Sequence, residues 1–166
     1  LATTLCDIAV TALLFVLLAP VSRPLALTAA AFRLAYSAAM AANAAVLMAP
    51  LLLLKTADGQ TLAMILLRLH TTGFQIGLGV FGVHLTLVGL LIARSTFLPR
   101  WLGAALSVAG LCYLANTFIG LLAPAMASQL FPWILLPGFL AEGSLTLWLL
   151  IVGVNPAKWR LAEQGR

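Results

Sequence analysis

Carboxylates are almost missing from this sequence: Asp7, Asp58, Glu142 and Glu163 are the only four in 166 residues. A two-metal site or a carboxylate acid–base pair needs several acids brought together, and four so widely scattered suggest neither. Charge of either sign is scarce too, at 8% of residues against about 25% in a soluble domain. Cys6 and Cys112, the two cysteines, lie inside apolar runs. They read as small packing residues, since neither a disulfide framework nor a metal-ligand spacing is present. HExxH, a phosphate loop and GxSxG with a partner histidine are all lacking. The reading therefore leans away from an enzyme and assigns no catalytic residue and no metal ligand.

What fills the sequence instead is apolar residues, 63% of the total, with a mean hydropathy of +1.13. That composition belongs to a polytopic membrane protein whose first partner is the lipid bilayer. The net charge of +5 does not point to nucleic acid, because the nine Lys and Arg stand singly, mostly at the ends of apolar runs.

Runs of about 20 apolar residues cross the ~30 Å hydrocarbon core as helix. Five such runs occur, at about 1–20, 24–52, 61–93, 101–123 and 132–154. They predict an all-α transmembrane bundle over 1–154 and a cytoplasmic tail over 155–166. The breaks carry turn chemistry: SRP at 22–24, KTADGQ at 55–60, STFLPR at 95–100, the Pro124 to Pro132 stretch and NP at 155–156. If the spans alternate, Arg23, Arg94, Arg100, Lys158, Arg160 and Arg166 share one side and Lys55 takes the other. That asymmetry puts the C-terminus in the cytoplasm and Leu1 outside. Trp101, Trp133 and Trp159 fall at span boundaries, as an aromatic belt requires, and Trp159 between Lys158 and Arg160 favours a short interfacial helix in the tail. LATTLCDIAV has neither an initiator Met nor a basic n-region, so an internal start with residues upstream is expected.

The third run would form a helix of about 50 Å, too long for the hydrocarbon unless it tilts or begins outside it. The second run is alanine-rich, which suits close helix packing.

Ionisable groups inside spans cost about 2.5–3.5 kcal/mol each on the insertion scale and face the bundle or a wet cavity. The candidate polar core comprises Asp7, Arg33, Arg68, His70, Gln75, His84, Asn116 and Glu142, with Asn43 as a further neutral companion. By depth, Asp7, Arg68, His70 and Asn116 fall toward the outer side, Arg33 and His84 toward the inner side, and Glu142 near the middle. The expected pairs are Asp7 with Arg68 and Glu142 with Arg33. The alternative is a proton or substrate path through His70, His84 and Glu142. Pro137, one turn before Glu142, is expected to kink the fifth span and free the carbonyl of Trp133.

His70 and His84 are 14 residues apart, on one helix face and about 21 Å apart along the axis. Gly77 lies midway between them, where it would let a bulky group approach the backbone. Two haems b with bis-histidine ligation need this spacing but also four histidines, so a twofold homodimer, an upstream segment or a partner subunit would have to supply the rest. Otherwise the histidines bond to neighbouring helices and the glycines serve packing.

LHTTGFQIGLGVFGVHLTLVGLLIARSTFLPRWLGAALSVAGLCYLANTF, with the flanking LCDIAVTALLFVLLAPVSRPLALTAAAFRL and LLPGFLAEGSLTLWLLIVGVNPAKW, resembles bacterial membrane proteins grouped as domain of unknown function 4386. The resemblance implies a six-span bundle, one span preceding Leu1, in the bacterial inner membrane. It implies recurrence at Asp7, Arg33, His70, Gly73, Phe74, Gly77, Gly82, His84, Pro99, Gly103 and Glu142, and it brings no activity or cofactor. Three readings follow: a non-enzymatic accessory or structural subunit of a membrane assembly; a small proton-linked transporter using Glu142, His70 and His84; and a haem b or quinone protein using His70 and His84.

Overall fold

A computed structural model describes residues 2–53 and 59–164 apart from the side chain of Leu52; Leu1, Lys55, Asp58 and Arg166 lie outside the described residues. The elements are α1 (Ala2–Leu18), α2 (Arg23–Leu53), α3 (Gly59–Arg94), α4 (Arg100–Leu122), α5 (Pro124–Leu130), a single 3₁₀ turn (Trp133–Leu135), α6 (Leu136–Ile151) and α7 (Pro156–Gln164). No strand occurs among the described residues, and the protein is an all-α helical bundle. Four segments are long and apolar enough to cross a membrane: α2, α3, α4 and the stretch Trp133–Ile151. At 17 residues, α1 is shorter, roughly 25 Å.

Each helix packs mainly on its neighbours in sequence, α1 on α2, α2 on α3, α3 on α4 and α4 on α6, with α3 at the centre. α1 and α6 do not pack along one another, yet residues of both line one cavity. Apolar residues lie both inside and outside: Leu18, Leu91, Ile92, Leu102 and Leu106 are buried, while Leu122, Phe139, Leu150 and Ile151 point outward almost fully exposed, which only lipid makes favourable.

Two seams explain why α3 is central. Toward α4 it presents Gln75, Gly79, Gly82, Thr86, Gly89 and Ala93, alternating three and four residues apart as in antiparallel coiled coils. A Cβ on Gly82 would lie 2.7 Å from the Gly110 carbonyl oxygen, and one on Gly103 2.6 Å from that of Gly89. The backbones thus touch at glycine pairs seven residues apart on each helix. Toward α2 the facing residues are Gly73, Gly77, Phe81 and His84, opposite Asn43, Met40, Tyr36, Arg33 and Ala29.

The basic end is built from the α1–α2 and α3–α4 turns and α7. Asn155 Oδ1 accepts from the Lys158 N–H, capping a helix that opens with Pro156. Trp159 Nε1 donates to the Leu17 carbonyl at 3.0 Å, and the Asn155 N–H reaches the Phe97 carbonyl. Arg23, Arg94, Arg100, Lys158 and Arg160 therefore share one end. The expected kink at Pro137 is corrected: Pro137 occupies the first turn of α6, where its missing N–H costs nothing. The Trp133 carbonyl is not freed either, since it accepts from the Leu136 N–H.

Candidate functional site

Helix arithmetic sets the height of each polar group. At 1.5 Å per residue from the basic end, Asp7, Arg33, His84 and Glu142 stand at roughly 16, 15, 15 and 14 Å. They share one level, about the middle of a ~30 Å core. Arg68 stands at roughly 39 Å and His70 at roughly 36 Å on the same count. Asp7 thus belongs with Arg33 and His84, not with the outer group. Arg68 is exposed and does not reach Asp7, whose ion pair is with Arg33.

The expected charge pairing is also corrected. Arg33 Nη2 donates to Asp7 Oδ1 at 2.6 Å, joining α2 to α1. Arg33 Nη1 lies 3.3 Å from His84 Nε2, and His84 Nδ1 lies 2.8 Å from the Ala29 carbonyl oxygen. A carbonyl only accepts and a guanidinium only donates, so these partners assign the proton to Nδ1 and leave Nε2 as acceptor on a neutral ring. His84 is 2% exposed, and its two nitrogens are both engaged. Phe81 lies beneath the cluster: the Arg33 guanidinium sits 5.2 Å over its ring, and Tyr36 and Tyr113 pack at centroid distances of 4.9 and 6.0 Å.

Glu142 meets Tyr113, not Arg33. The Tyr113 hydroxyl donates to Glu142 Oε1 at 2.8 Å. Gly138, one turn before Glu142, makes this possible, since any Cβ there would collide with the Tyr113 ring. Tyr113 was not among the residues singled out from the sequence. Its height, roughly 20 Å from the basic end, was the available signal.

A cavity of about 350 Å³ opens between α1 and α6 onto this cluster. Its polar wall is Arg33, His84 and Glu142; its apolar wall includes Val10, Leu14, Leu145 and Leu149. Two sealed polar atoms on α2 have no partner among the described residues, Arg33 Nε and Ser37 Oγ, one helical turn apart.

The remaining candidates form separate layers. His70 Nδ1 donates to the Asn43 carbonyl at 3.0 Å, and Asn43 Nδ2 returns a bond to the His70 carbonyl at 3.0 Å. Gln75 turns toward α4, its Nε2 lying 3.5 Å from the Asn116 carbonyl, while the Thr117 hydroxyl donates to the Gln75 carbonyl at 2.8 Å. Gln75 and Asn116 border a second cavity of about 260 Å³ beneath α5.

A haem held by His70 and His84 does not fit these residues. His84 offers no free nitrogen, His70 does not line the same cavity, and the space at Gly77 is taken by Met40 and Tyr36. Among the described residues no three His, Cys, Asp or Glu gather as a metal site.

Comparison with known proteins places this bundle. Residues 1–153 match the family model described as Domain of unknown function (DUF4386). The chain belongs to that family. An uncharacterized protein of Archaeoglobus fulgidus is 27% identical to this DUF4386 member over 147 residues, covering 89% of this chain and 76% of the relative. No solved structure matches it.

Proposed function

We propose that this DUF4386 protein is a non-enzymatic integral membrane protein that binds a small hydrophobic molecule taken laterally from the bilayer. The observation that carries the reading is the cavity between α1 and α6, apolar on one wall and lined by Arg33, His84 and Glu142 on the other. Its volume of about 350 Å³ is in the range of small-molecule sites, about 300–1,000 Å³. A polar cluster that served only to hold helices together gains nothing from being left open, because each group would be better satisfied sealed among its partners. The apolar wall suits an alkyl or aryl body and the polar wall a carbonyl or hydroxyl, and a quinone-like ring with an alkyl tail has that chemistry.

The carrier reading needs a polar route to both ends, whereas Leu91, Ile92 and Leu102, on the basic-end side of the cluster, are apolar and fully buried. The basic end supports a topology with α7 on the cytoplasmic side of the cytoplasmic membrane. Association with other membrane subunits or a second copy is compatible with the site, whose opening lies between α1 and α6.

The test is native mass spectrometry of the detergent-solubilised chain with decylubiquinone as a neutral probe. Binding at one equivalent is expected, and Leu145→Trp, which fills the cavity, should weaken it by about tenfold or more. Binding that ignores Leu145→Trp would contradict the reading.

A further inference from the structure

We infer that the cavity selects hydrophobic cations, with Glu142 as their counter-ion; the inference rests on the ligand-site reading above. It follows from the charges on the cavity wall. Arg33 is already matched, because Asp7 Oδ1 holds its Nη2 at 2.6 Å. His84 contributes no charge, since its Nδ1 donates to the Ala29 carbonyl and its Nε2 accepts from Arg33. Glu142 is the remaining ionisable group, and no Lys, Arg or His among the described residues lies within ion-pair distance of it.

Its single side-chain bond comes from the Tyr113 hydroxyl to Oε1. Oε2 has no partner among the described residues, yet it is absent from the sealed, unpartnered atoms, which are Arg33 Nε and Ser37 Oγ. It is therefore open to the cavity that Glu142 lines. Tyr113, itself steadied by the space at Gly138, fixes the carboxyl so that this second oxygen stays presented to a ligand.

An unmatched carboxylate at this depth is costly because little solvent screens it. A ligand that brings a positive charge on an apolar body supplies the missing counter-ion and fills the Val10, Leu14, Leu145 and Leu149 wall at once. An anion of the same size would face Glu142 directly and an Arg33 whose charge is already taken by Asp7. The site thus discriminates by the sign of the ligand's charge, and the apolar wall sets its body as alkyl or aryl: a lipophilic amine, quaternary ammonium or phosphonium.

Tetraphenylphosphonium and tetraphenylborate, alike in size and shape and opposite in charge, test this on the full solubilised chain by native mass spectrometry, with decylubiquinone as neutral reference. The cation is expected to bind about tenfold or more tightly than the anion. Glu142→Gln should lose that preference. Equal binding of the two ions by the wild-type chain, with decylubiquinone bound, would overturn the cation inference and leave the ligand site standing; this comparison needs no variant. A Glu142→Gln chain that keeps the cation preference would overturn it as well. Failure of all three probes to bind would instead overturn the ligand-site reading beneath it.

Discussion

His84 Nε2 and Arg33 Nη1 lie 3.3 Å apart, and this contact ties the α2–α3 seam to the α1–α2 ion pair. Because Arg33 also holds Asp7, one guanidinium links three helices at mid-membrane depth.

The ion pair should behave as a unit. Removing one partner of a buried pair costs about 3–5 kcal/mol because the other charge is stranded. Asp7→Asn alone should therefore lower the detergent melting temperature sharply, and Asp7→Leu combined with Arg33→Met should recover much of the loss. Glu142→Gln combined with Arg33→Met should give additive effects. A double-mutant cycle read by thermal melting distinguishes the two pairings.

The two histidines should differ. His84, 2% exposed, is the partner of one Arg33 nitrogen and a second partner of the Ala29 carbonyl, which still accepts within α2; His84→Leu strands that nitrogen, at about 1–3 kcal/mol. His70→Leu removes a bond near the far boundary, where water can replace it, and should cost clearly less. Urea or thermal denaturation of both variants in the same detergent provides the comparison.

The glycine seam makes a third expectation. Gly82→Ala, Gly103→Ala and Gly110→Ala each drive a methyl group into the backbone of the facing helix and should separate α3 from α4. Gly143→Ala meets nothing within 4 Å and should be neutral or stabilising by up to about 1 kcal/mol from helix propensity. Gly77→Ala should be intermediate, since the atom it meets is the far end of the flexible Met40 side chain. Size-exclusion profiles and melting temperatures of the five variants test the ordering.

Topology makes the fourth. A reporter fused after Arg166 should stay in the cytoplasm, and one inserted at Asp58 should be exported. A cytoplasmic signal from Asp58 would reverse the placement of the basic end.

The helical class and its apolar runs were legible because span length and hydropathy are local properties. The charge pairing was not, since Asp7 was ranked by its distance from an assumed membrane edge instead of from the turn it shares with Arg33. Counted from Leu18 and Arg23, the two residues fall level. Pro137 misled for a related reason: a proline in an apolar run breaks a helix only if the helix has already started, and α6 starts beside it. The long third run is explained by pairing with α2, which is itself 31 residues long, so the two extend together past the end of α4. The Tyr113–Glu142 bond spans 29 positions and becomes visible only when helices are placed side by side.

The claim that matters most is that a small molecule sits between α1 and α6. Photolabelling in native membranes with a diazirine analogue of decylubiquinone, mapped by peptide sequencing, tests it directly. Label on Val10, Leu14, Leu145 and Leu149 should be suppressed by excess decylubiquinone, while label on the lipid-facing Phe118 and Leu122 is unchanged. Suppression that is uniform over all six positions, or absent at the first four, would contradict it.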